Sequence, residues 1–236
     1  MWKAEQGQYP QHGEAPAGMA VIHQTTLKPT KLELLTDWLP GRPWYRGGPD
    51  APVLEKSGGF RLDDPEGEVG IEFMVATDTS APERTAYLAP LTYRGAPLEG
   101  AEHALVGTME HGVLGRRWVY DGCHDPVLVA ELLALTEGRA QAMAQSISDT
   151  PDHEVTRSYG GAPLDLAGFT PEPADDRDGT RLAVPGGAVL HVHRVLTPVA
   201  ENPPLPPRDA LGHVATGWPG PDGARLRAVF TTLRAA

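Results

Sequence analysis

Hydrophobic positions along the chain fall into short runs of two periods. Leu32, Leu35 and Leu39 recur at helical spacing. Thr30 ahead of them, with Glu33 three residues on, is a capping-box signature, and Pro40-Gly41 stops the run. The pattern then switches to period two: Val69, Ile71, Phe73 and Val75 form one apolar face, as a half-buried strand requires. Thr85 to Tyr93 is the expected antiparallel partner, across a turn at Thr79 to Glu83. A third extended piece, Arg117 to Asp121, leads into a second helix. There Asp125 can cap, Pro126 sits where its missing N–H costs nothing, and Leu128, Leu132 and Leu135 keep helical spacing. The pattern carries this helix through Gly138 to about Ser146.

After a connector at 146–152, short extended segments alternate with Gly/Pro turns. Strands are expected at Thr180 to Val184, Gly187 to Leu196, Leu211 to Gly217 and Ala224 to Leu233. The last two form a hairpin across Pro219-Gly220-Pro221-Asp222-Gly223. The acidic run Glu172 to Asp178 and the proline-rich run Asn202 to Pro207 read as solvated loops. Met1 to Gly18 is polar and aperiodic, which predicts a disordered arm over residues 1–20. The expected organisation is that arm, an α+β unit over 21–150 and a β-rich unit over 151–236. No internal repeat is visible.

Composition narrows the function classes. A chain of 236 residues can bury a substantial core. Its 27 glycines and 24 prolines, about a fifth of the chain, stay below the roughly 25–30% that marks low complexity. No apolar run approaches the roughly 18 residues of a membrane helix. With 20 basic and 31 acidic residues the net charge is −11, which repels nucleic-acid backbones and anionic lipids. Neither nucleic acid nor membrane is therefore expected as a partner. The polar N-terminus lacks the core of a signal peptide, so a cytoplasmic protein is expected. The single Cys123 excludes an internal disulfide and any multi-cysteine zinc site.

Candidate chemistry is sparse. His103, His111 and His124, with Asp125, lie in one stretch, but spacings of eight and thirteen residues match no ligand motif. His191 and His193 share one face of an expected strand. Cys123 beside His124 suggests a thiol nucleophile, yet neighbours on a strand diverge, and a small buried thiol is the commoner outcome. No phosphate-cradling glycine loop and no nucleophile elbow is present. Two aromatic groups remain: Trp38, Trp44 and Tyr45 with Arg42 and Arg46, and Trp118 with Tyr120. They could form a sugar or partner surface, or a hydrophobic mini-core pinning helix to sheet.

These aromatic segments carry a family resemblance. Trp38-Leu39-Pro40-Gly41-Arg42-Pro43-Trp44-Tyr45 after a capped helix resembles the N-terminal cap of actinobacterial maltokinases and related sugar or amino-sugar kinases. Tyr87-Leu88-Ala89-Pro90-Leu91 and Trp118-Val119-Tyr120-Asp121-Gly122-Cys123-His124-Asp125-Pro126 are similar to the second half of that cap, so the resemblance covers roughly residues 21–146. It implies an α+β fold, a curved antiparallel sheet with packed helices. Ala188 to Leu196 and Glu201 to Leu205 resemble the N-lobe that follows the cap, implying a small β-rich, kinase N-lobe-like unit. Where that lobe's strand has its phosphate-binding lysine, this chain has His191, and the segments that hold Mg²⁺ and orient the substrate hydroxyl are not found.

Three readings follow. The first is a non-catalytic interaction or regulatory protein, without cofactor, whose partner is a second copy or an enzyme of glucan, trehalose or amino-sugar metabolism. The second is a sugar or nucleotide binder without turnover. The third is an enzyme built on His103, His111, His124 and Asp125.

Overall fold

The structure, a computed structural model, describes residues 27–145, 147 and 149–236. The expected arm at 1–20 and the expected helix end at Ser146 lie outside them. The first part of the chain runs β1 (Leu27–Lys28), α1 (Lys31–Trp38), β2 (Leu54–Asp63), β3 (Gly70–Asp78), β4 (Thr85–Arg94), β5 (Leu105–His111), β6 (Gly115–Asp121), α2 (Pro126–Glu137) and β7 (Met143–Ala144). Its strands form a curled antiparallel sheet in the order β1-β5-β6-β4-β3-β2-β7. The second part runs β8 (Thr156–Tyr159), β9 (Ala174–Asp176), β10 (Gly179–Val184), β11 (Ala188–Val192), β12 (Val195–Leu196), β13 (Ala210–Pro219) and β14 (Arg225–Ala235). These strands make a second antiparallel sheet, β8-β13-β14-β11-β10-β9, with one exception. Strand β12 leaves it and pairs with β4 of the first sheet, Val195 opposite Tyr87.

The helix starts follow from their caps. In α1 the Glu33 N–H donates to Thr30 Oγ1 (3.2 Å), and the Thr30 N–H to Glu33 Oε2 (2.6 Å). In α2 the Val127 N–H donates to Asp125 Oδ1 (3.0 Å), with Pro126 in the first position. This helix ends at Glu137, well short of the expected Ser146. Gly138 turns left-handed (φ 85°), and its N–H bonds the Ala134 and Leu135 carbonyls, closing the helix as C-terminal glycines do.

Strand β3 is buried on both faces, so its period-two pattern showed only half of its packing. Ile71, Phe73 and Val75 join Phe60, Leu62 and Leu88, under α2, in a core shared with Leu190, Val192, Val214, Trp218, Phe230 and Leu233 of the second sheet. On the opposite face Met74 and Ala76 pack with Tyr87, Ala89, Leu91, Met109 and Val119 beneath Leu35, Trp38, Leu39 and Trp44. A bulge in β2 admits the second sheet: a Cβ on Gly58 would stand 2.9 Å from Cβ of Trp218.

Three expectations change. The structure keeps the expected curved antiparallel sheet but is mostly β, with two α-helices among the described residues, rather than the expected α+β class. The stretch Gly187 to Leu196 is two strands in different sheets, because Arg194 between them turns inward. The acidic run at Glu172 to Asp178 contains β9, an edge strand, and is not wholly loop.

Candidate functional site

The second sheet is joined to the first by a buried ion pair. Arg194, fully enclosed, donates through Nη2 to both carboxylate oxygens of Asp121 at the end of β6 (2.7 and 2.6 Å). Its Nε donates to Thr180 Oγ1 of β10 (2.7 Å), and Thr180 in turn donates to Asp175 (2.5 Å). The guanidinium lies 5.2 Å from the centroid of Trp44, a cation–π contact. Burial opposes the Arg194 charge, but Asp121 outweighs it and lifts the guanidinium pKa above its usual value. Cys123 Sγ sits 3.2 Å from Nη2, and burial pushes this thiol far above its usual range. A thiol so held stays protonated, which fits a packing role.

A second buried charge anchors α1. Glu72 of β3 accepts from Lys31 of α1 (2.5 Å), from the Tyr93 hydroxyl (2.6 Å) and from Gln145 (3.1 Å), with Lys56 at 3.5 Å. Burial alone would raise its pKa; Lys31 and Lys56 reverse the sign and hold the carboxyl below its usual value.

The first aromatic group comes together, facing inward. Trp38 and Trp44 rings lie 5.7 Å apart, and Tyr45 stacks on Tyr87 at 5.6 Å. Trp44 is 1% exposed and Trp38 8%. Arg42 covers Trp38 from outside at 4.9 Å, and the Arg46 backbone N–H donates to the Tyr87 hydroxyl (3.0 Å). Trp118 and Tyr120 belong to a separate cluster with Leu98, Ala101 and Ala104, where the Leu98 N–H donates to the Tyr120 hydroxyl (2.9 Å).

The candidate histidines divide among three places. His103 and His124, twenty-one residues apart, meet with Nε2 and Nδ1 separated by 3.1 Å, and burial lowers the His124 pKa. His111 lies instead in the β5–β6 turn, where its Nδ1 accepts from the Val113 and Leu114 N–H groups. Asp125 is fully buried, capping α2 and taking both donors of the Arg94 fork at 2.7 Å. His191 packs on His193 at 4.3 Å, its Nε2 lying 3.2 Å from the Asp178 carbonyl oxygen, on the face of β11 away from the core.

Sequence reasoning missed Arg194, Thr180 and Glu72. A signal existed for two of them: Arg194 interrupts the apolar run Val189 to Leu196, and Glu72 sits inside Val69 to Val75. It also missed a groove of about 240 Å³ where the core between the sheets opens to solvent. Glu55, Lys56, Ser57, Thr77 and Arg84 give it polar groups, above an apolar base that includes Trp218 and Leu196.

No helix of the described residues is long and apolar enough to cross a membrane. Comparison with curated proteins finds no significant match. Residues 38–125, from the inward-facing Trp38 to the α2 cap Asp125, match the family model described as the maltokinase N-terminal cap domain, so that this segment of the chain is similar to that cap.

Proposed function

We propose that the protein is a non-catalytic interaction or regulatory module built on a maltokinase-type cap. Its partner on this reading is a second copy or an enzyme of glucan, trehalose or amino-sugar metabolism. One observation carries the reading. The conspicuous groups of the cap segment, Trp44 and Asp121, are spent on gripping Arg194 of the second sheet. A body joined in this way works through its outer surface, and the β5–β6 hairpin presents Val113 and Leu114 there, 61% and 46% exposed. His191 holds a backbone carbonyl, which supports the expectation that it takes no nucleotide phosphate.

Thermal unfolding with and without MgATP, maltose, trehalose and glucosamine tests this, with light scattering for self-association. An interaction module shows no shift with any of the four. A ligand at about a hundred times its dissociation constant adds roughly 2.7 kcal/mol, several degrees at this size, and such a shift would overturn the reading. A second reading, a small-molecule binder without turnover, is favoured by the groove beside Trp218. A sugar shift abolished by Arg84→Ala or Glu55→Ala would establish it.

A further inference from the structure

The His103–His124 pair has no part in the junction or in the groove. We propose that it is a binding site for a divalent transition-metal ion of the Zn²⁺, Ni²⁺ or Cu²⁺ class, with two protein ligands and open positions for water or for a donor from a partner. Two imidazole nitrogens bound side by side to such an ion, each about 2.0–2.1 Å away, stand roughly 2.9–3.4 Å apart. His103 Nε2 and His124 Nδ1 stand 3.1 Å apart, with ring planes at 82°.

The pair is held from two independent sides. His124 ends the 3-10 turn Gly122–His124, whose Cys123 N–H donates to Asp121 Oδ1 (3.2 Å), and Asp121 is itself fixed by Arg194. His103 lies on the 3-10 turn Glu102–Ala104, closed by the bond from Ala104 N–H to the Ala101 carbonyl (2.9 Å) and backed by Tyr120 on Leu98. His103 is exposed, so an ion can reach the shared position. On binding, the proton between the rings moves to the far nitrogen of its own imidazole, leaving two neutral ligands.

Among the described residues no three His, Cys, Asp or Glu side chains are grouped to share an ion, so the described residues offer two ligands here. The other close pair is less suited: His191 Nε2 faces the Asp178 carbonyl at 3.2 Å, and His193 Nε2 faces Thr232 Oγ1 at 3.3 Å. Imidazole ligands with water favour Cu²⁺ most, then Ni²⁺ and Zn²⁺.

Isothermal titration of the full chain with NiCl₂ and with ZnCl₂ tests the site, using His103→Gln, His124→Gln and, as a control, His111→Gln. Glutamine keeps hydrogen-bonding capacity but ligates these ions poorly, so metal-free thermal midpoints measured alongside show that the variants fold. The expected result is one site per chain, weakened in His103→Gln and in His124→Gln by at least the roughly 10–100-fold that loss of an outer-shell partner costs. His111→Gln should bind like the parent. Absence of binding to the parent at millimolar metal overturns the proposal. So does equal affinity in the parent and both variants, or equal weakening in all three.

Discussion

At the level of single residues, the buried Arg194–Asp121 pair is the contact on which most depends. Its charge is matched by one carboxylate, and Thr180 and Trp44 complete its surroundings. Removing one partner leaves the other charged and enclosed, which costs about 3–5 kcal/mol. Arg194→Met and Asp121→Asn should each lower stability to urea by that order. The double variant Arg194→Met with Asp121→Leu should lose much less than the sum, because no orphaned charge remains. A single variant within 0.5 kcal/mol of the parent, roughly the range of ordinary surface changes, would remove the pair from this role. The histidines on the outer face of the second sheet give a pH signature. Burial pushes His193 down to about 4, helped by His191 and Arg234, and burial also lowers His191 and His213. The unfolded chain binds these protons near pH 6.5 and the folded chain only at lower pH, so protonation favours unfolding. The contribution is complete above pH 6.5 and is lost as pH falls toward 4, by about 3 kcal/mol for His193 over the whole window. Thermal midpoints between pH 7.5 and 5 should fall, and less steeply in His193→Gln. Parallel curves would show that His193 is not the group responsible.

At the scale of elements, what the sequence announces and what it hides separate cleanly. Both helix starts were legible, since Thr30 with Glu33 and Asp125 with Pro126 are local signals that need no tertiary partner. Strand β3 was legible through alternation, β4 as its partner across the turn at Thr79 to Glu83, and the final hairpin through its Pro-Gly turn. Strand β2 was not, because Glu55-Lys56-Ser57-Gly58-Gly59 carries charges and a bulge where a strand usually alternates. Strand β5 was hidden by Gly107, Thr108 and Glu110 on a sheet margin with little to bury. Of the candidate site, the clustering of Trp38, Trp44 and Tyr45 could be read locally. Their inward orientation is that of the mini-core alternative rather than of an exposed ligand surface, and what the sequence did not show is that Arg194 and Tyr87 arrive from elsewhere to complete it. The meeting of His103 with His124 depends likewise on two turns being packed side by side. The α2 end was misplaced although its signal was present: Gly138 takes φ 85°, and a Cβ there would meet the Arg157 guanidinium at 2.2 Å. Gly138→Ala should therefore cost at least about 1–2 kcal/mol, the penalty of a left-handed non-glycine residue. Denaturant unfolding checks this, with Gly223→Ala for comparison, a second left-handed glycine where a Cβ meets nothing within 4 Å. Equal losses would show that backbone strain alone governs both sites.

For the whole molecule, the question is whether the stretches 21–150 and 151–236 can stand apart. Apart from β12, the chain does assign one sheet to each side of residue 150. The interior is not divided that way. Phe60, Leu62, Ile71, Phe73, Val75 and Leu88 of the first sheet share their core with six large side chains of the second, and β12 crosses to pair with β4. If the second sheet were removed, those first six side chains would lose much of their cover. At about 1.5–3 kcal/mol for each fully re-exposed side chain, the loss is on the order of 10 kcal/mol. That is as large as the roughly 5–15 kcal/mol by which a whole domain is stable. Arg194 would leave as well, taking from buried Asp121 its cation and from Trp44 its cation–π partner. The intact chain should therefore unfold in one transition, with tryptophan fluorescence and far-ultraviolet circular dichroism following the same curve. A fragment ending at residue 150 should lack cooperative unfolding and sharp amide dispersion in NMR spectra. Should that fragment fold with a well-defined midpoint, the cap would be self-sufficient, and the junction at Arg194 would be a contact between two independent units.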